Sequence, residues 1–234
     1  YKKAVDSFEE LYVLDIGSNN GDFVMDRIGK SEKVKLLVGL EYDRESVIAA
    51  NEKYGIEGKI AFYEQNVEAD DLEDRLFDIL DRAGVEKFNL INISMVMLHL
   101  KNPYRLLKVI RPFLEKGGMI IIKDIDDGYN LAYPDPKGEF ARVVEICAKN
   151  DTSGYRHSGR QIYTLLKHAG YIDVCLEQCG LSTVGMDYDE RSALFDTYFS
   201  FIIEDLKIMI EAYPNDTEIR DDYEWYRKIY DDLE

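Results

Sequence analysis

Cysteine is scarce in this chain of 234 residues: Cys147, Cys175 and Cys179 are all it has. An odd number at that spacing builds neither a disulfide framework nor a zinc cluster. Cys175 and Cys179 stand four apart in a segment of strand character, which would point both sulfurs the same way. The thiols are read as small buried apolar groups of a cytoplasmic protein. Long apolar runs are also missing. None approaches the ~18 residues that span a bilayer, so no membrane partner is expected. The opening Tyr1-Lys2-Lys3-Ala4-Val5-Asp6 is too polar for a signal peptide, and a start at Tyr1 rather than Met leaves room for a further N-terminal element. Positive charge is in deficit: 29 Lys and Arg against 46 Asp and Glu give a net charge of -17. Nucleic-acid binders need a basic surface to displace counterions from phosphate, and no dense Lys/Arg run offers one. The acid excess is read first as a solubility device and second as a setting for a cationic or amine substrate.

What is present is a core. At 46% hydrophobic residues, the chain can bury one sizeable core. Short apolar runs alternate with helical patterns, the signature of a mostly parallel α/β sheet flanked by helices. Strands are expected at Leu11–Leu14, Lys35–Leu40, Ile60–Tyr63, Phe88–Ile93 and Met119–Ile122, with a sixth at Tyr171–Leu176. Helices fall between them, stopped by Gly29, Gly55, Gly84 and Gly170. Asn102-Pro103 opens one, with Pro112 at its end, and Ser158 with Gln161 forms a capping box for another. Beyond about residue 188 the pattern changes. Leu194 to Tyr213 and Ile219 to Tyr230 carry apolar and aromatic residues at helical spacing, which predicts two appended helices. The expected division is therefore 1–188 for the sheet domain and 189–234 for a helical appendage, which could also pair two copies as a homodimer.

In an open parallel sheet, ligands sit at the carboxyl ends of the strands where the order reverses. The loop there is Asp15-Ile16-Gly17-Ser18-Asn19-Asn20-Gly21. Gly17 and Gly21 allow a ligand close to the backbone. A dinucleotide loop would show G-x-G-x-x-G, and this one has instead an acid at the strand end, suited to a ligand carrying an ammonium group. Glu41, ending the second strand, is placed to accept hydrogen bonds from ribose hydroxyls. Tyr42 could pack on an adenine ring, and the amides of Gln65 and Asn66 could meet its edge.

These residues resemble the class I S-adenosylmethionine (SAM)-dependent methyltransferase family over about Leu11 to Leu176. Val13 to Gly21 is similar to the family's D-x-G-x-G-x-G loop, with Asn19 in place of the middle glycine; Asn tolerates left-handed backbone angles. Glu41 matches the ribose-binding acid, and Asn66 the adenine-contacting acid. Phe88 to Ile91 with Ser94 to Pro103 resembles the fourth-strand block, with Asn89 where the family usually has Asp. Glu115 to Gly118 matches the glycine turn before strand five. The resemblance implies a Rossmann-like fold of the class I type with a C-terminal helical appendage, and SAM as cofactor. It would be held by Asp15, Gly17, Ser18, Asn19, Gly21, Glu41, Tyr42, Asn66, Val67, Ser94 and Met95.

Methyl transfer is an in-line attack on a sulfonium carbon, so the protein positions the nucleophile and removes its proton where needed. His99, beside the expected methyl position, is the candidate general base, against a purely structural histidine. Asp124, Asp126, Tyr129 and Tyr133, after the fifth strand, are the candidate substrate-binding residues. No metal is expected. Arg156, His157 and Arg160 form a small basic group that would suit an anionic substrate or simply a helix entry. The chain lacks the Asn/Asp-Pro-Pro-aromatic tetrapeptide of methyltransferases acting on base or glutamine amino groups, which together with the acidic charge favours a small-molecule acceptor. The competing readings are a SAM-binding regulatory or interaction module without catalysis, and an oxidoreductase on a related sheet.

Overall fold

Runs of apolar residues that need cover on both faces become strands between helices. In the computed structural model, which describes residues 1–149, 152 and 154–233, these strands are β1 (Leu11–Ile16), β2 (Val34–Glu41), β3 (Ile60–Glu64), β4 (Phe88–Ser94) and β5 (Leu114–Lys123). They form one sheet in the order β3-β2-β1-β4-β5, every neighbouring pair parallel. The chain divides into two compact units, one of residues 1–124 with 161–174, the other of residues 125–160 with those from 175 onward.

The sheet belongs to the first unit. Successive strand residues point to opposite faces, so Leu14, Val38 and Ile91 join one core cluster while Val13, Leu37 and Leu90 join the other. The first cluster is covered by α4 (Leu72–Ala83), α5 (Pro103–Ile110) and α7 (Gly159–Ala169); the second includes residues of α1 (Lys2–Asp6), α2 (Asp22–Val24, continued by a π-helical turn Met25–Gly29) and α3 (Arg44–Tyr54). The helix signals of the sequence act locally. Asp43 caps α3 by accepting from the Ser46 backbone N–H, and Asn102 caps α5 through the Arg105 N–H with Pro103 in the first turn. Pro112 falls in a 3-10 turn, Arg111–Phe113, directly after α5.

The second unit is helical: α6 (Glu139–Lys149), α8 (Tyr188–Phe199), α9 (Phe201–Ala212) and α10 (Thr217–Leu233). Its core gathers Val143, Ile146 and Cys147 of α6 with Phe199, Ile202, Leu206, Met209 and Tyr226. Tyr226 is fully buried, and its hydroxyl donates to the Phe199 carbonyl at 3.0 Å, as a buried phenol requires. Burial pushes the Cys147 thiol up to about 12, so it is an inert core group.

Three expectations are corrected. Residues 171–176 form no strand, although the run is apolar. Gly170 (φ +90°) turns the chain out of α7, Tyr171 goes into the core with its hydroxyl donating to the Leu107 carbonyl, and Asp173 adopts a left-handed φ of 51°. Ile172 and Leu176 are left exposed, and Cys175 and Cys179 are exposed on irregular chain rather than buried. Among the described residues the C-terminal region holds three helices, not two, because the Leu194–Tyr213 pattern is interrupted at Ser200 between α8 and α9. Among the described residues no helix is long and apolar enough to cross a membrane.

Candidate functional site

The strand order reverses between β1 and β4, so the loops after them diverge at the carboxyl edge of the sheet and leave a crevice there. Asp15 stands at this edge on β1. It is 3% exposed, and the Asn92 side-chain amide, on the neighbouring β4, donates to its Oδ1 at 2.6 Å. The other carboxylate oxygen accepts no hydrogen bond among the described residues. Burial pushes the Asp15 carboxyl up to about 7; the Asn92 hydrogen bond opposes the rise and the Glu41 charge adds to it.

The loop that follows is shaped by close approaches. Gly17 and Gly21 have φ of +70° and +79°, and a Cβ would lie 2.3 Å from Val96 Cγ2 at the first and 2.8 Å from Phe62 Cζ at the second. Asn19 has φ 47°, in the left-handed region, and its Oδ1 accepts from the Asn20 N–H. Ser18 Oγ is buried without a hydrogen-bond partner among the described residues. Such orphans are uncommon in native cores and cost about 1–3 kcal/mol.

Glu41 ends β2 beside this loop and is 7% exposed. Its Oε2 accepts from the Asn19 N–H at 2.9 Å, and its Oε1 from the Tyr42 and Asp43 N–H groups at 2.8 and 3.0 Å. Of the roughly four acceptor positions of a carboxylate, the remaining one lies on Oε2, next to the loop. Tyr42 is 78% exposed, so a ring face is open to a planar partner. Asn66 Oδ1 accepts from the Glu68 N–H, which leaves its amide nitrogen as the group it offers. Val67 is half-buried, and with Asn66 it lines a cleft of about 430 Å³. Gln65, by contrast, is turned inward: its amide donates to Asp71 Oδ1 and to the Asn66 carbonyl, so it is withdrawn from ligand contact.

The end of β4 contributes Ser94 and Met95. Met95 has φ 58° while its N–H donates to the Lys123 carbonyl. A non-glycine residue held in that region stores about 1–3 kcal/mol. His99 is exposed on a 3-10 turn, Met97–His99, after the same strand. Asn89 lies at the opposite end of the sheet. Its Oδ1 accepts from the Tyr12 N–H and its Nδ2 donates to the Glu10 carbonyl, clasping β4 to the entry of β1. The exchange of Asp for Asn there is thus a strand-end device, away from the crevice.

The expected substrate residues divide. Asp124 belongs to the first unit and accepts from the Leu98 N–H at 3.2 Å. Asp126, Tyr129 and Tyr133 belong to the second unit. There the Arg160 guanidinium grips Asp126 with two hydrogen bonds and holds its carboxyl below the usual range. Arg156 pairs with Asp127 in a buried ion pair at 2.7 Å. Two members of the basic group are therefore neutralised within their own unit. Tyr129 and Tyr133 are exposed. Asn92 is the site residue that sequence reasoning passed over. The signal was available: a polar side chain interrupts the apolar run of a central strand.

A family model described as a methyltransferase domain matches residues 7–172. Comparison with curated proteins finds no match. Among solved structures, the YcgJ protein of Bacillus subtilis is similar at 18% identity and a TM-score of 0.54, over 88% of this chain and 84% of that one. A SAM-dependent methyltransferase of Mesorhizobium loti gives 16% and 0.53, over 83% and 91%. One from Geobacter sulfurreducens, solved with S-adenosyl-L-homocysteine, gives 16% and 0.51, over 98% and 82%.

Proposed function

The chain belongs to the methyltransferase family and uses SAM as its cofactor, and on that premise we propose that it methylates a small-molecule acceptor at the crevice beside Asp15, Glu41 and Met95. The observation that carries this site is the open oxygen of Asp15. A buried carboxyl with one oxygen unbonded among the described residues suits a receptor for the ammonium of an amino-acid arm. Ser18 Oγ, orphaned in the adjoining loop, gains a partner in the same ligand. The remaining acceptor position on Glu41 takes a ribose hydroxyl, and Tyr42, Asn66 and Val67 hold the adenine.

The cofactor supplies an electrophilic methyl carbon on a sulfonium. The chain's own task is to orient the acceptor in line with it and to exclude water. Ser94 and Met95, after β4, border the methyl position in this reading. His99 on the following turn takes the proton from an acceptor that must lose one. The acid excess and the lack of a dense basic run support a small acceptor over a nucleic acid. Cytoplasmic residence belongs to the same reading.

The test is methyl release from labelled SAM across a panel of amines, phenols and thiols, beside calorimetry with S-adenosylhomocysteine. Turnover with one acceptor class supports the reading. Binding with no turnover on any acceptor would leave a SAM-binding module. Glu41→Ala removes the ribose partner, and at about 1.5–3 kcal/mol for a hydrogen bond to a charged group the dissociation constant should rise at least tenfold; an unchanged value contradicts the ribose assignment.

A further inference from the structure

Asn92 is 0% exposed in the middle of the sheet, where an unpaired amide would be costly, and both ends of its side chain are used. Its Nδ2 donates to Asp15 Oδ1 at 2.6 Å, and its Oδ1 accepts from the Tyr1 hydroxyl at 3.1 Å. The Asp15 bond fixes which way the amide faces, because a flipped amide would set its oxygen against a carboxylate, and the Tyr1 hydroxyl donates to the oxygen in that orientation. The Tyr1 ring rests edge-on against Phe23 at 5.6 Å. Tyr1, Asn92 and Asp15 thus form one relay from the N-terminal segment across β4 to the end of β1. It lies wholly within the sheet unit.

We propose that Asn92 is a positioning residue for the amino-acid arm of the cofactor. It ties down one oxygen of Asp15 and so aims the other at the ammonium, while Tyr1 locks the Asn92 amide in the orientation that does this. The inference rests on the cofactor reading above. Its physical content is selective: the relay touches the acid that receives the ammonium and none of the groups assigned to ribose or adenine. A carboxylate free to rotate would lose the aligned charge-assisted hydrogen bond, which is about twice as strong as a neutral one.

The experiment compares S-adenosylhomocysteine with 5′-methylthioadenosine, which keeps the thioether nucleoside and lacks the amino-acid arm. In Asn92→Leu the dissociation constant for S-adenosylhomocysteine should rise about tenfold or more while that for methylthioadenosine stays within twofold. Tyr1→Phe, which removes one hydroxyl and no packing, should raise the first about threefold and leave the second unchanged. Equal losses for both ligands in either folded variant would mark a merely structural role and overturn the proposal. Should Asn92→Leu fail to fold, Tyr1→Phe decides, and unchanged S-adenosylhomocysteine binding there overturns it. If the unaltered protein binds neither ligand, the cofactor reading fails and this inference falls with it.

Discussion

Buried polar groups are handled differently in the two units of the chain. In the sheet unit, Asp15, Ser18, Glu41 and Asn92 are buried around the crevice, and among the described residues Asp15 keeps an open oxygen, Ser18 Oγ has no partner and Glu41 keeps one open acceptor position. In the helical unit, the buried charges complete one another. Arg156 donates to Asp127 at 2.7 Å and its guanidinium also lies 5.1 Å from the Phe201 ring centre. Buried charge that is matched from within serves the fold, whereas charge left partly unmatched is waiting for something from outside.

The comparison can be broken in three ways. The largest effect is expected from Arg156→Met, which strands Asp127 in the core and should cost about 3–5 kcal/mol in denaturant unfolding. The double variant Arg156→Met with Asp127→Leu should recover most of that. If the single variant is as stable as the parent, the helical unit does not depend on its internal pairing.

Next comes Asp15→Asn. The folded-state pKa of Asp15 is raised, to about 7 from 3.8, so the folded chain holds this proton more tightly than the unfolded one. The stability this contributes is present below about pH 4 and lost as pH rises through 7. Asn carries no charge at any pH. The variant without ligand should therefore melt higher than the parent at pH 8, by on the order of 2–4 kcal/mol, with the gap closing towards pH 4. Cofactor affinity should fall in the same variant. Parallel melting curves at pH 5 and pH 8 would show that Asp15 carries no such burden.

The smallest effect is at Met95. Met95→Gly relieves the left-handed backbone and should stabilise the empty chain by about 1 kcal/mol, an effect read from its melting temperature. Destabilisation instead would mean that the Met95 side chain contributes more to the core than its backbone costs.

Much of this was legible in the sequence, and for identifiable reasons. Apolar runs of strand length between amphipathic segments located β1 to β5, and Asn102-Pro103 and Gly84 announced helix ends through local chemistry. The loop glycines were visible because close approach and positive φ select glycine wherever they occur. The sixth strand was misread because apolar composition says nothing about where a backbone turns, and Asp173 turns it. Pairings between distant residues were invisible as well. Arg160 meets Asp126 from 34 positions away, and Gln65 is captured by Asp71 only once the turn after β3 has formed. Local pattern identifies elements; which polar group finds which partner is decided by packing.

Ser18 has a consequence outside the crevice. Ser18 Oγ, orphaned among the described residues, and the Asp15 carboxyl, which burial makes reluctant to ionise, both cost the fold, and a ligand that satisfied both would deepen the folded state by mass action. Quality-control proteases act on the fraction that opens, so a shift of 1–2 kcal/mol changes abundance about several-fold. If that ligand is the cofactor, as proposed above, the amount of this protein in a cell should follow cofactor supply.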